Sequence, residues 1–207
     1  MLSVPANQVV EIAFVAVKDH ADPFNSVRLD VLFREPDGRE SRVPAFWAGG
    51  RNWRVRYSSP RTGEHRYVTV GSDLTDSGLH GVEGKVHVTE AGGRNPLYRH
   101  GPLVVSKNHR YLQHADGKPF FWLGDTWWMG LCKRIAYPSE FHELTEDRVQ
   151  KGFTVVQIVA GLYPDMGAFD ERGANEAGFP WEAEWTAIRP EYFDRADERI
   201  AHLVDAG

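Results

Sequence analysis

The sequence predicts a chain of two parts: an all-β N-terminal half, read as an antiparallel β-sandwich, followed by the opening of an α/β barrel. Three observations carry this expectation. Short alternating segments separated by turn residues fill residues 9–90, and no helical periodicity runs through them. Around Phe120-Phe121-Trp122-Leu123-Gly124 an apolar, mostly aromatic run meets a turn signal, as in a parallel strand buried on both faces. Beyond it the order becomes strand, helix, strand, helix, which is the grammar of β/α units.

In the first half, residues 9–17 alternate or run apolar. Residues 27–33 alternate and then meet Pro36-Asp37-Gly38, where Pro presets φ and Gly supplies a left-handed position. Phe46-Trp47 leads to Ala48-Gly49-Gly50, and Trp53-Arg54-Val55-Arg56-Tyr57 alternates cleanly. Pro60-Arg61-Thr62-Gly63 turns the chain into residues 65–70, and Lys85-Val86-His87-Val88-Thr89 closes the series. Ala91-Gly92-Gly93-Arg94-Asn95-Pro96 reads as a boundary, which gives domains 1–95 and 96–207.

In the second half, residues 103–105 and 110–112 flank Ser106-Lys107-Asn108-His109 as a hairpin, and Asp116-Gly117 is a tight-turn signal. Residues 120–124 are the first expected parallel strand. Pro138 and Ser139 start a helix with Phe141, Leu144 and Val149 on its apolar face, and Gly152 ends it. Residues 154–160 are a second strand expected to be apolar on both faces. A long loop, 161–189, precedes a helix opened by Pro190 with Phe193, Ala196, Ile200 and Leu203 facing the core. Two strands and two helices cannot close a barrel of eight, so the sequence reads as the N-terminal portion of a longer protein, with an open strand edge suited to self-association.

Composition limits the function. With 24 Lys and Arg against 29 Asp and Glu the formal net charge is −5, and no basic face suits nucleic acid. No apolar run approaches a membrane span, and residues 1–5 lack the features of a signal peptide, so a cytoplasmic location is the default. Cys132 is the single cysteine, which leaves no disulfide framework or cysteine metal site and does not exclude export. His142-Glu143-Leu144-Thr145-Glu146 starts like a zincin helix but lacks the second His, and the glycines form no phosphate loop. No cofactor and no metal are expected.

The residues that point to chemistry cluster after the apolar run. A carboxylate and indoles at the C-terminal end of a barrel strand suit a sugar-binding cleft, because an indole stacks on a sugar face and a carboxylate accepts from hydroxyls. Asp125 is either such an acceptor or a capping and core-network carboxylate. One of Trp127 and Trp128 is a candidate stacking platform and the other a core residue. Gln157 points either to the barrel mouth or into a core network. Trp181 and Trp185 either offer exposed indoles or close the long loop. Asp165, Asp170 and Glu171 miss the EF-hand spacing and read as solvated charges.

Lys118-Pro119-Phe120-Phe121-Trp122-Leu123-Gly124-Asp125-Thr126-Trp127 resembles the opening strand of the apiosidase-like (DUF4038) glycoside hydrolase catalytic domain. Asp147-Arg148 and Gly152-Phe153-Thr154-Val155-Val156-Gln157 are similar to that family's first helix and second strand. Asn175-Glu176-Ala177-Gly178-Phe179-Pro180 and Tyr192-Phe193-Asp194-Arg195-Ala196-Asp197 are similar to its next loop and helix. The first ninety or so residues resemble the Ig-like DUF5060 domain. The resemblance implies an Ig-like sandwich ahead of a truncated (β/α)8 TIM barrel that hydrolyses O-glycosidic bonds of complex, plant-type polysaccharides, with an oligo- or polysaccharide as partner. It places both catalytic carboxylates on later strands, so no catalytic residue is expected here. Asn175-Glu176 matches the acid/base pair of many barrel glycosidases but lies after the second strand. Hydrolysis needs two carboxyls about 5–5.5 Å apart for retention or about 6.5–9.5 Å for inversion, which spacing along a chain does not fix. The rival classes are a non-catalytic carbohydrate-binding or scaffold protein and a barrel enzyme of other hydrolytic chemistry.

Overall fold

The computed structural model describes residues 2–207 and divides into two compact units: one runs to Gly93 and takes in Tyr98–Pro102, the other comprises Arg94–Leu97 and Leu103–Gly207. Strands outweigh helices: they form four sheets, with few helices among the described residues.

The first unit contains β1 (Leu2–Pro5), β2 (Val10–Val15), the single turn α1 (Pro23–Ser26), β3 (Leu29–Arg34), β4 (Glu40–Pro44), β5 (Phe46–Trp47), β6 (Asn52–Tyr57), β7 (Gly63–Gly71) and β8 (Glu83–Thr89). One sheet has the order β1-β8-β7-β3-β4, antiparallel except for the parallel β1–β8 pair; the other is the antiparallel β2-β6-β5. Period-2 alternation decides the faces. In β2, Val10, Ile12 and Phe14 are buried while Glu11, Ala13 and Val15 face out. Both sheets supply one continuous core, and its centre joins them directly: Phe33 of β3 stacks on Tyr57 of β6 with centroids 3.8 Å apart and planes at 5°. The turn at Pro36-Asp37-Gly38 forms as read, with Gly38 at φ +85° and its N–H donating to the Glu35 carbonyl.

The second unit contains β9 (Leu103–Val105), β10 (Leu112–His114), β11 (Pro119–Phe120), β12 (Gly124–Trp127), α2 (Ser139–Gln150), β13 (Val155–Ile158) and α3 (Pro190–Ala206). β11-β10-β9 is an antiparallel sheet, and β12 pairs with β13 in parallel across α2. The expected strand at 120–124 is displaced. Pro119 and Phe120 extend the hairpin sheet, and the parallel strand begins only at Gly124. Phe121 and Trp122 lie between the two, 75% and 59% exposed. The apolar run therefore does not form one strand buried on both faces; Trp122 meets the Phe120 ring edge-on and otherwise stays largely exposed, as does Phe121.

Both helices start where the sequence places them, but their buried faces are shifted. In α2, Phe141 and Thr145 are buried while Val149 is exposed; the Thr145 hydroxyl is neutralised by donating to the Phe141 carbonyl at 2.8 Å. Gly152, at φ +77°, ends that helix in the left-handed conformation. α3 buries Tyr192, Ala196 and Arg199, whereas Ile200 is exposed. The expected face thus rotates by about one residue, because an arginine occupies a core position. Segment 161–189 is not structureless: it holds 3-10 turns at Glu171–Gly173 and Ala183–Trp185 and bridges at Asn175–Gly178 and Trp181–Ile188.

Candidate functional site

β12 and β13 run side by side with Asp125 opposite Val156 and Thr126 opposite Gln157. Alternation puts Asp125 and Trp127 on one face and Thr126 on the other. The first face is turned to α2. Trp127 is 5% exposed and meets Phe141 edge-on, with centroids 5.4 Å apart. Thr126 and Gln157 are both exposed.

That placement determines the state of Asp125. Its Oδ1 accepts from the Thr126 N–H at 2.9 Å, and its Oδ2 accepts from Trp127 Nε1 at 2.9 Å and Arg148 Nε at 2.5 Å. Arg148 also bonds Asp147. The Arg148 guanidinium, above all, holds the Asp125 carboxyl below the usual carboxylate range, against the opposing effect of burial. Most of its acceptor capacity is spent within the chain, so it orients an indole and a guanidinium more than it receives a ligand.

These residues line a cleft of about 630 Å³ with Trp128, Arg134, Ile135 and Asp165. Trp128 is 54% exposed and is the indole of the cleft that is free to stack. Gln157, Trp181 and Trp185 do not line it. The two loop tryptophans instead form an aromatic group: Trp185 lies 5.8 Å from Trp181 and 5.3 Å from Phe169, and Phe169 meets Phe179 edge-on. Trp185 is 45% exposed and sits at φ +64°, an unfavourable conformation for a bulky residue.

The Asn175-Glu176 pair is committed to the scaffold. Asn175 is buried, donates from Nδ2 to the Tyr192 carbonyl at 2.9 Å and accepts from the Ala177 N–H at 2.9 Å. Glu176 Oε1 receives Arg199 Nη2 at 2.7 Å. Asp170 caps its own 3-10 turn and pairs with Arg172, which holds its carboxyl down to about 2; Glu171 meets Lys133. Among the described residues no group of three or more His, Cys, Asp or Glu is placed to hold a metal ion, and no helix is long and apolar enough to cross a membrane.

Arg148 and Arg199 are the residues that reading the sequence for a site missed: Arg148 enters there only through the family resemblance, and Arg199 not at all. For Arg199 the signal was its spacing: it lies three residues after Ala196, inside the apolar stripe.

Residues 106–207 match the family model described as "Apiosidase-like, catalytic domain", and residues 3–72 match "Domain of unknown function (DUF5060)". The chain superposes on the crystal structure of a protein from Bacteroides vulgatus, named a "putative glycoside hydrolase", with a TM-score of 0.74 and 23% identity. The match covers 100% of this chain and 40% of that one, so the chain spans about two fifths of that structure's length. No curated protein matches the sequence.

Proposed function

We propose that this chain is the N-terminal portion of a glycoside hydrolase acting on O-glycosidic bonds of complex, plant-type polysaccharides, and that it supplies part of the sugar-binding rim. The observation that carries the reading is the match of residues 106–207 to an apiosidase-like catalytic domain, over a segment that folds as a parallel β12–α2–β13 unit followed by α3. In this reading these elements are the first two β/α units of a TIM barrel, truncated here, and residues 1–95 are an Ig-like sandwich. Two sheets around one core, with the 3–72 match, support the latter.

The rim divides by role. Trp128 in the cleft and Trp185 with Trp181 in the loop offer ring faces for stacking, and Gln157 and Thr126 offer hydrogen bonds on the open face of the strand pair. Asp125 and Trp127 support the rim from the helix side. In this reading the catalytic pair belongs to later strands, and the engagement of Asp125 and Glu176 by an arginine each supports a scaffold role for these two carboxylates.

The test compares the 207-residue chain with a version extended along its natural reading frame. Both are assayed on aryl glycosides and plant polysaccharides and titrated with oligosaccharides. The short chain is expected to bind without turnover, and the extended one to hydrolyse. Turnover by the short chain that vanishes in Glu176→Gln would assign catalysis to the wrong residues here. Binding without hydrolysis by both would favour a carbohydrate-binding or scaffold protein, and neither binding nor hydrolysis would end the glycan reading.

A further inference from the structure

Arg199 is an anomaly in this molecule. It is 0% exposed and is the largest wholly buried side chain among the described residues. Burying a guanidinium is costly unless its donors meet acceptors. They do so in an informative way. Nη1 donates to the carbonyls of Ile135 at 2.9 Å and Gly130 at 3.3 Å; Nη2 donates to Glu176 Oε1 at 2.7 Å. The planar group also lies 5.2 Å from the Tyr137 ring centroid and 5.4 Å from that of Phe141. Its Nε is buried without a partner.

The three acceptors come from two different connections. Gly130 and Ile135 belong to the segment that leaves the C-terminal end of β12, and its residues Arg134 and Ile135 wall the cleft. Glu176 belongs to the segment that leaves β13. Within 130–135 the local bonds are single turns, from the Gly130 N–H to the Trp127 carbonyl, the Cys132 N–H to that of Met129 and the Ile135 N–H to that of Cys132, and the Lys133 N–H donates to the Ala174 carbonyl at 2.9 Å. At Gly130 the path is also tight: a Cβ there would stand 2.9 Å from Ile158 Cγ2. A cation on α3 therefore adds a buried side-chain tie between the connections after both parallel strands, beside the Lys133–Ala174 backbone bond and the exposed Lys133–Glu171 pair.

We propose that Arg199 is the positioning residue of the cleft: its guanidinium fixes the wall formed by 130–135 and the Glu176 loop in one arrangement. That the cleft receives a sugar rests on the reading above; that Arg199 sets its shape does not. A lysine does not replace it, because a single ammonium lacks the planar fork that reaches carbonyls on one side and a carboxylate on the other.

Residue-resolved amide hydrogen exchange on the 207-residue chain separates the two claims. In Arg199→Lys, the amides of 130–135 and 174–178 should exchange about tenfold faster than in the parent, while those of the β12–β13 pair stay unchanged. Glu176→Ala, which leaves Nη1 and its carbonyls intact, should loosen 174–178 alone. It also serves if Arg199→Lys fails to fold. Parent-like exchange in Arg199→Lys, or acceleration spread evenly over the second unit, overturns the proposal, as does Glu176→Ala leaving 174–178 protected. Oligosaccharide titration of the same variants reads the other claim. Local loosening with no sugar binding by the parent keeps Arg199 as the positioning residue and removes the sugar.

Discussion

In the first unit Val31, Phe33, Val55 and Val86 are 0% exposed, and residues from both sheets meet in one core. In the second, Phe121 is 75% exposed, Trp122 59% and Val105 59%, while the interior is built around Phe141, Tyr192 and a buried arginine. Both have similar material to work with. The difference is geometric. Two antiparallel sheets each need one covered face, and each covers the other. A parallel pair needs cover on both faces and on both edges, and the second unit supplies α2 for one face only. The contrast in burial follows from architecture more than from composition.

The largest expected effect breaks the comparison by mutation. Phe141 is 0% exposed and touches Trp127, Tyr137 and His202. Truncating a core Phe to Ala costs about 3–5 kcal/mol. Phe141→Ala should unfold the second unit while β-sheet signal from the first persists through a later thermal transition. Limited proteolysis should then leave a core close to residues 1–95. A protected fragment beginning near Leu103, or a single transition shared by both units, would show that the two are not separable in this way.

The next effect concerns the uncovered surface. Exposed rings at Phe121 and Trp122 beside an unpaired strand edge are a template for association. The chain should self-associate and bind a hydrophobic dye, and Phe121→Ser with Trp122→Ser should reduce both. Light scattering after size exclusion reads the first and dye fluorescence the second. A clean monomer without dye binding would make the second unit self-sufficient and erase the contrast.

What the sequence disclosed tracks what is local. Asp116-Gly117, Pro138-Ser139, Gly152 and Pro190 mark turns and helix ends through backbone constraints that act within a few residues, and they sit where they were read. Helix phase was less legible: Arg199 sits in the stripe that periodicity assigned to Phe193 and Ile200, because polarity argues against a core cation until its acceptors are known. The aromatic run was least legible. Phe120 to Trp122 reads as buried by composition, and whether a neighbour exists to cover it is not a property of those residues. The site follows the same rule. The indoles were visible as candidates, while the arginines beside them depend on contacts such as Arg148 with Asp125, 23 residues apart, that spacing does not reveal.

A smaller effect should separate the units by pH. His142 and His202 stack between α2 and α3 with centroids 3.6 Å apart and planes at 7°, and both Nε2 atoms are buried without partners. Burial first, then the neighbouring His142, lowers the His202 pKa, against the opposing pull of Glu146 and Asp205. The folded state thus resists protonation that the unfolded chain accepts near pH 6.5. Stability of the second unit should be intact above that value and fall as pH drops below it toward the folded-state pKa. His202→Leu should flatten that slope without touching the first unit's transition. An unchanged slope in the variant would assign the acid sensitivity elsewhere.

The smallest effect on stability carries the sharpest functional contrast. Trp128 is 54% exposed, so removing its ring takes away little buried area, and Trp128→Ala should change the second unit's stability by no more than about 0.5 kcal/mol. Trp127, one residue earlier, is 5% exposed, packs on Phe141 and donates to Asp125, so its truncation should cost about 3–5 kcal/mol. Adjacent indoles thus differ in burial, one packed in the core and the other exposed at the cleft. If the cleft binds a sugar by stacking, Trp128→Ala should weaken oligosaccharide binding by about 1–3 kcal/mol while the melting curve stays put, the range of the comparable stacking of a nucleobase on an aromatic ring. Isothermal titration beside a thermal melt reads both at once. Undiminished binding in Trp128→Ala would move the platform away from the cleft, to Trp185 and its aromatic group, where Trp185→Ala is the matching measurement.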